Sequence, residues 1–341
     1  MSKGEKIVGL EVARGIAACL IVLHHIELSF EHFFEQTAFT KYWSFGFIGI
    51  DLFFVLSGFI IYTVHSGDAP TFFHWKKYLL KRFVRVFIPY WPVGIVMFLS
   101  YVLFPALSEG ERNIGIFPTF FLIPSEGRPA LSVAWTLIHE IIFYAFFSVF
   151  FFMGKKGLAF LMCAWCVAIF GGHISSITSS NDTAGYLLGM NNLQFILGII
   201  AAIVVKKTSV QHTACLVILF IGMLAVIGFS LILPIVQITQ PIRVIGMGLI
   251  FCLIVFALVG IEYKIQYNRF LLLLGSASYS IYLIHNPLIS ILSRLVRYFR
   301  DNMNTDIAFL VIFILCIFAG FVYHFLWERP SMSKVKNLLL K

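Results

Sequence analysis

Arg14, His24 and His25 stand inside "VARGIAACLIVLHHIEL", a run otherwise apolar enough to be a membrane span. An imidazole can take a proton from a hydroxyl and a guanidinium can hold an anion, so this segment carries parts of a transfer reaction. At about 100° per residue, the eleven steps from Arg14 to His25 close to within about 20°, at a rise of about 16 Å. The two therefore share a face, Arg14 near the inner end and His25 toward the outer half. His24 points about 80° away from Arg14. A charge deep in a span costs roughly 2.5–3.5 kcal/mol, so a polar stripe of this length predicts a lined cavity. The competing reading has Arg14 snorkelling to the inner surface and His25 hydrogen-bonded in a core.

Four more segments carry chemistry. In "GFIGIDLFFVLSGFII", Asp51 lies at about the depth of His25 and predicts an orienting carboxylate for it, or else a plain tie between two helices. In "KKYLLKRFVRVFIPYWP", Arg82 and Arg85 are three apart and neighbours on one face. Two guanidinium forks suit phosphate, while the same charges also suit an anchor on anionic lipid. In "SVAWTLIHEIIFYAFF", Glu140 and Tyr144 are one turn apart, as are Trp135 and His139; a glutamate this deep needs a partner or water. In "GSASYSIYLIHNPLI", Ser278, Tyr282 and His285 form a stripe, with Pro287 predicting a kink just beyond. His285 reads equally as a satisfied core residue.

The elements that must position these residues are membrane helices. The chain is 60% hydrophobic and 12% charged, with a mean hydropathy of +0.93, where a soluble domain is about a quarter charged. The pattern predicts an all-α polytopic bundle of about ten spans, roughly 7–29, 46–65, 83–105, 132–152, 157–177, 190–205, 213–232, 242–261, 271–292 and 306–327. With the N-terminus inside, 18 of the 25 Lys and Arg residues fall on the cytoplasmic side, from Lys3 and Lys6 to Lys341. The positive-inside rule then puts both termini in the cytoplasm. The net charge of +9 is thus an orientation signal, with no nucleic-acid partner implied.

The whole of 1–341 reads as a single membrane domain without a cleavable leader or internal repeat. "NIGIFPTFFLIP", in the outward stretch 106–131, predicts a re-entrant or interfacial piece, and the basic tail 331–341 predicts a cytoplasmic surface segment on membrane lipid. All six cysteines fall in expected spans; the Cys163–Cys166 pair lacks the second ligand pair of a zinc site, so no metal is expected.

These motifs in this order resemble the acyltransferase-3 family of bacterial membrane acyltransferases, which O-acetylate polysaccharides and other glycans. The resemblance covers essentially the whole chain. It rests on "RGIAACLIVLHH" for the family's Arg/Lys–ten–His pattern, on "GIDLFFVLSGFII", on the cytoplasmic RxxR of Arg82 and Arg85, on "WTLIHEIIFY", and on "SYSIYLIHNPL". It implies an acyl-CoA donor, usually acetyl-CoA, a catalytic His25, an essential Arg14, and a donor site that includes Arg82 and Arg85. No SGNH-type hydrolase domain is expected after the last span.

Asp51 and Glu140 join His25 as catalytic candidates, and Trp135, Tyr144, Tyr282 and His285 join the three arginines as binding candidates. Donor phosphates cannot cross hydrocarbon and a surface glycan lies outside. The expected plan is therefore a cavity cationic at its inner mouth, with a base where thioester and hydroxyl meet. The alternative is a proton-coupled transporter or flippase of a lipid-linked glycan, whose His, Asp and Glu would relay protons. A non-catalytic envelope scaffold is a third reading. Direct transfer or an acyl-enzyme, the acceptor hydroxyl and the oligomeric state stay open at this point.

Overall fold

The computed structural model describes residues 7–34, 42–104, 113–208, 211–232, 236, 238–262, 265–299 and 304–339. Lys3, Lys6, Lys264 and Lys341 of the orientation signal lie outside these residues. Among those described, every regular element is helical, with one isolated bridge between Ile114 and Arg128. The chain runs α1 (Val8–Phe34), α2 (Ile48–His65), α3 (Phe72–Leu103), α4 (Ile116–Phe120), α5 (Trp135–Ser148), α6 (Phe150–Ile174), α7 (Ile177–Ser180) and α8 (Asp182–Leu187). It continues through α9 (Asn192–Lys207), α10 (His212–Ile232), α11 (Gln240–Ile261), α12 (Arg269–Tyr298), α13 (Thr305–Tyr323) and α14 (Arg329–Leu339).

Eight of the described helices are long and apolar enough to cross a membrane. They coincide with eight of the ten expected spans. The other two expectations fall on Ser132–Ser148, which is shorter, and on α12, whose Ser276, Ser278, Tyr279, Ser280, Tyr282 and His285 dilute its apolar character. The protein is a multi-pass helical membrane protein.

The helices gather into two compact units. Unit 1 takes Met1–Ala17, Ile48–Thr71 and Ala145–Ser276; unit 2 takes Ala18–Phe47, Phe72–Tyr144 and Ala277–Lys341. In unit 1, α2 and α9 pack at backbone distance. A Cβ on Gly58 would collide with the Phe195 carbonyl, and one on Gly198 with the Val55 carbonyl. Small residues permit such approach in a membrane, where packing replaces the hydrophobic drive. The start of α1 is fixed by Glu262, whose carboxylate accepts from the N–H groups of Val8 and, at 2.8 Å, Gly9. A carboxylate suits that end because it satisfies orphan donors and the positive pole of the helix.

In unit 2, α3 keeps Pro89 and Pro92 within its length. Pro92 has no N–H for the Ile88 carbonyl, and the Trp327 indole N–H takes that carbonyl at 3.1 Å instead. The Tyr90 hydroxyl and the Trp91 indole donate to the Thr119 and Phe120 carbonyls at 2.6 and 2.9 Å. They hold α4 against α3 and leave Ile116, Phe117 and Phe121 exposed, as an interfacial piece would.

Candidate active site

His25 belongs to unit 2. Its Nδ1 lies 2.9 Å from the Ile21 carbonyl, one turn back in α1. A carbonyl oxygen only accepts, so Nδ1 carries the proton and the neutral ring presents a lone pair at Nε2. Among the described residues nothing hydrogen-bonds that Nε2, and the ring is part-exposed. The His285 ring sits edge-on to it, centroid to centroid 4.9 Å. His285 is fully buried, with Nδ1 3.2 Å from the Ile281 carbonyl and Nε2 unpartnered. Two imidazoles with the same internal restraint therefore meet face to edge, and the backbone supplies the orienting acceptor expected of Asp51.

Asp51 is engaged in unit 1. Its carboxylate, 3% exposed, accepts from the Arg243 guanidinium at 3.1 Å and from Gln194 Nε2 at 2.6 Å. Gln194 Nε2 also reaches the Val244 carbonyl at 3.1 Å. A buried carboxylate gains more from a permanent cation than from an imidazole, so the orienting role gives way to a three-residue tie. Arg14, also in unit 1, lies over the Phe53 ring at 6.0 Å.

The cationic pair on α3 divides in two. Arg82 lies 5.9 Å from the Tyr78 ring and 5.7 Å from the Tyr144 ring, its Nε buried without a hydrogen-bond partner. Among the described residues no carboxylate pairs with it. The Tyr144 hydroxyl is given to Glu140, one turn away on α5 as the spacing predicts, and the Tyr78 hydroxyl donates to the Tyr144 carbonyl at 3.1 Å. Arg85 is paired: one terminal nitrogen lies 2.9 Å from Glu328 Oε1, and its guanidinium covers the Tyr279 ring at 5.1 Å.

Tyr282 sits between two elements. Its hydroxyl lies 2.7 Å from Thr136 Oγ1 and donates to the Val133 carbonyl at 2.9 Å, joining α12 to the turn before α5. Trp135 and His139 form the expected ring pair, edge-on at 5.7 Å. Among the described residues, unit 2 thus holds a histidine with an open acceptor, a cation without a counter-ion, and tyrosines set about a carboxylate.

A family model described as an acyltransferase domain matches residues 7–325. The chain belongs to the acyltransferase-3 family. It is 28% identical to the exopolysaccharide production protein ExoZ of Rhizobium meliloti over 283 residues, covering 77% of this chain and 82% of that protein. It is 25% identical to the peptidoglycan O-acetyltransferase OatA of Listeria monocytogenes over 333 residues, 85% of this chain and half of that protein. The acyltransferase MdmB of Streptomyces mycarofaciens is 24% identical over 354 residues, 94% of this chain and 90% of its own. No solved structure matches.

Three polar residues of this acyltransferase-3 chain escaped the sequence reading. Gln194 and Arg243 hold Asp51, and Glu328 holds Arg85. A signal existed for two of them: an Arg and a Glu just inside apolar runs need partners by the same cost argument that selected Glu140. Gln194 is neutral and carried none.

Proposed function

We propose that the protein is a membrane O-acyltransferase that moves an acetyl group from cytoplasmic acetyl-CoA to a hydroxyl of a cell-surface or lipid-linked glycan. Its setting would be the bacterial cytoplasmic (inner) membrane, with both termini inside. Family membership supports acyl transfer, and the names of the polysaccharide and peptidoglycan relatives favour a glycan acceptor. The observation that carries the reading is His25, with Nδ1–H donated to Ile21 and Nε2 left open.

In the proposed reaction Nε2 takes the acceptor hydroxyl proton as that oxygen attacks the thioester carbonyl. Collapse of the tetrahedral intermediate breaks the C–S bond, and the imidazolium returns its proton to the departing thiolate. The products are the glycan ester and CoA. Positioned general-base catalysis contributes about 10²–10⁴-fold. Holding donor and acceptor together contributes further. Arg82, with which no carboxylate pairs among the described residues, and Arg85, with 29% of its side chain exposed, suit donor phosphates, and Tyr78 and Tyr144 border Arg82.

The test is acceptor-dependent release of CoA thiol by purified protein given acetyl-CoA and candidate glycans, with ester formation read by mass spectrometry. Thiol release matched by ester is the expected result. A transporter would move glycan or protons with acetyl-CoA untouched, and that result would overturn the proposal.

A further inference from the structure

Glu328 ends a π-helical turn, His324–Glu328, between α13 and α14, and is 1% exposed. Both of its carboxylate oxygens are engaged. Oε1 accepts from Arg85 at 2.9 Å; Oε2 accepts from Ser280 Oγ at 2.6 Å and from His324 Nδ1 at 2.8 Å. The turn is itself fastened along α3: the Tyr323 hydroxyl donates to the Pro89 carbonyl at 2.6 Å, and Trp327 to the Ile88 carbonyl. A π turn inserts one residue into a helix and so re-aims the side chains after it. Here it brings Trp327 and Glu328 onto the same stretch of α3, where Pro92 has left the Ile88 carbonyl open.

The consequence falls on Arg85. Its guanidinium is gripped by Glu328 and backed by the Tyr279 ring, yet 29% of the Arg85 side chain stays exposed against 2% for Glu328. The clamp holds one edge of the fork and leaves another free. Glu328 also offsets much of the Arg85 charge, so Arg82 is the stronger net attractor and Arg85 the better-placed donor of hydrogen bonds.

We propose that Glu328 is a positioning residue for the donor site, using Ser280 and His324 to hold Arg85 so that its free edge meets a phosphate of the acyl-CoA. This rests on the donor reading given under Proposed function. A long cation fixed before binding loses less rotamer freedom on meeting its ligand, which is why the clamp should be read in donor affinity. A simple loss of charge compensation predicts the opposite sign, since an unclamped Arg85 would attract phosphate more strongly.

The test compares acetyl-CoA with S-acetylpantetheine, which has the same thioester and no CoA phosphates. In Glu328→Gln, KM for acetyl-CoA should rise about tenfold or more, with kcat little changed and KM for S-acetylpantetheine unaltered. Ser280→Ala removes one bond to Glu328 without touching Arg85, and should raise the same KM by about threefold. It also decides the matter if Glu328→Gln fails to fold. Equal losses with both thioesters, or a lower KM for acetyl-CoA, would overturn the proposal. Arg85→Ala separates the two levels. If it raises KM for acetyl-CoA while Glu328→Gln and Ser280→Ala do not, the positioning role alone falls. If it changes nothing, the donor reading falls with it.

Discussion

Asp51 in unit 1 and His25 in unit 2 are both polar groups inside apolar helices, and they have been treated in opposite ways. Asp51 is closed: a cation and an amide take its oxygens, and the amide is held in turn by the Val244 carbonyl. His25 is half closed, with one nitrogen fixed by its own helix and the other left open. Arg85 repeats the half-closed pattern within unit 2, one terminal nitrogen clamped by Glu328 while 29% of its side chain stays exposed. A buried polar group with every valence used serves the fold, because the free energy of its pairing is already spent in the resting state. A group with one valence fixed and one open is aimed but unspent, and that is what a reaction requires. The difference teaches where to look for chemistry: at incompleteness under restraint, and not at polarity alone.

The largest expected effect tests the open side. His25→Ala should lower acyl transfer by about 10²–10⁴-fold, the contribution of a positioned base. Thermal melting should hardly move, since the substitution breaks only the bond to Ile21 among the contacts of Nδ1 and Nε2. Activity in a glycan acylation assay and a melting curve on the same preparation check both halves. A large fall in melting temperature with activity retained would place His25 on the closed side.

Next comes the closed side. Asp51→Ala takes the carboxylate from the part-exposed Arg243 cation and the buried Gln194 amide, and should destabilise the fold by about 1–3 kcal/mol. Replacing both partners by apolar residues, Asp51→Leu with Arg243→Met, should recover most of that loss, because exchanging a buried ion pair for packed hydrophobics is often neutral. Detergent melting curves of the single and double variants measure this. Should the double variant melt like the native protein yet lose all activity, the tie would be part of the chemistry and the comparison would break.

How much of this was readable in advance follows from sequence separation. The spans were legible because a period and a run of apolar residues are local properties, and eight of ten expectations meet long apolar helices. Glu140 with Tyr144 and Trp135 with His139 were legible for the same reason, being one helical turn apart. What the sequence hid were partners. Asp51 and Arg243 are 192 residues apart, and Arg85 and Glu328 are 243 apart. Depth matching alone offered Asp51 a histidine; packing supplied a guanidinium at the same carboxylate. Glu328 was obscured further by its π turn, since an inserted residue shifts the face on which a helical count would place it.

The smallest expected effect concerns His24, beside His25 in sequence and different in role. Successive helical residues point about 100° apart, so His24 faces the turn Ser44–Phe47 that leads into α2. Its ring meets Phe47 edge-on at 5.8 Å, and a Cβ on Gly46 would stand only 3.0 Å from the His24 Cβ. Those contacts make His24 a clasp for the turn. His24→Ala removes an aromatic edge contact worth about 0.5–1.5 kcal/mol, and the melting temperature should fall by the few degrees this implies. Acyl transfer should stay within about threefold of native, because none of these contacts reaches His25 Nε2 and the bond that sets its tautomer is made to Ile21. The measurement is the activity ratio of His24→Ala to His25→Ala in one membrane preparation, corrected for expression. A ratio near one would mean that the two rings act as a unit, through their edge contact at 5.4 Å. The line between clasp and base would then have to be drawn around the pair.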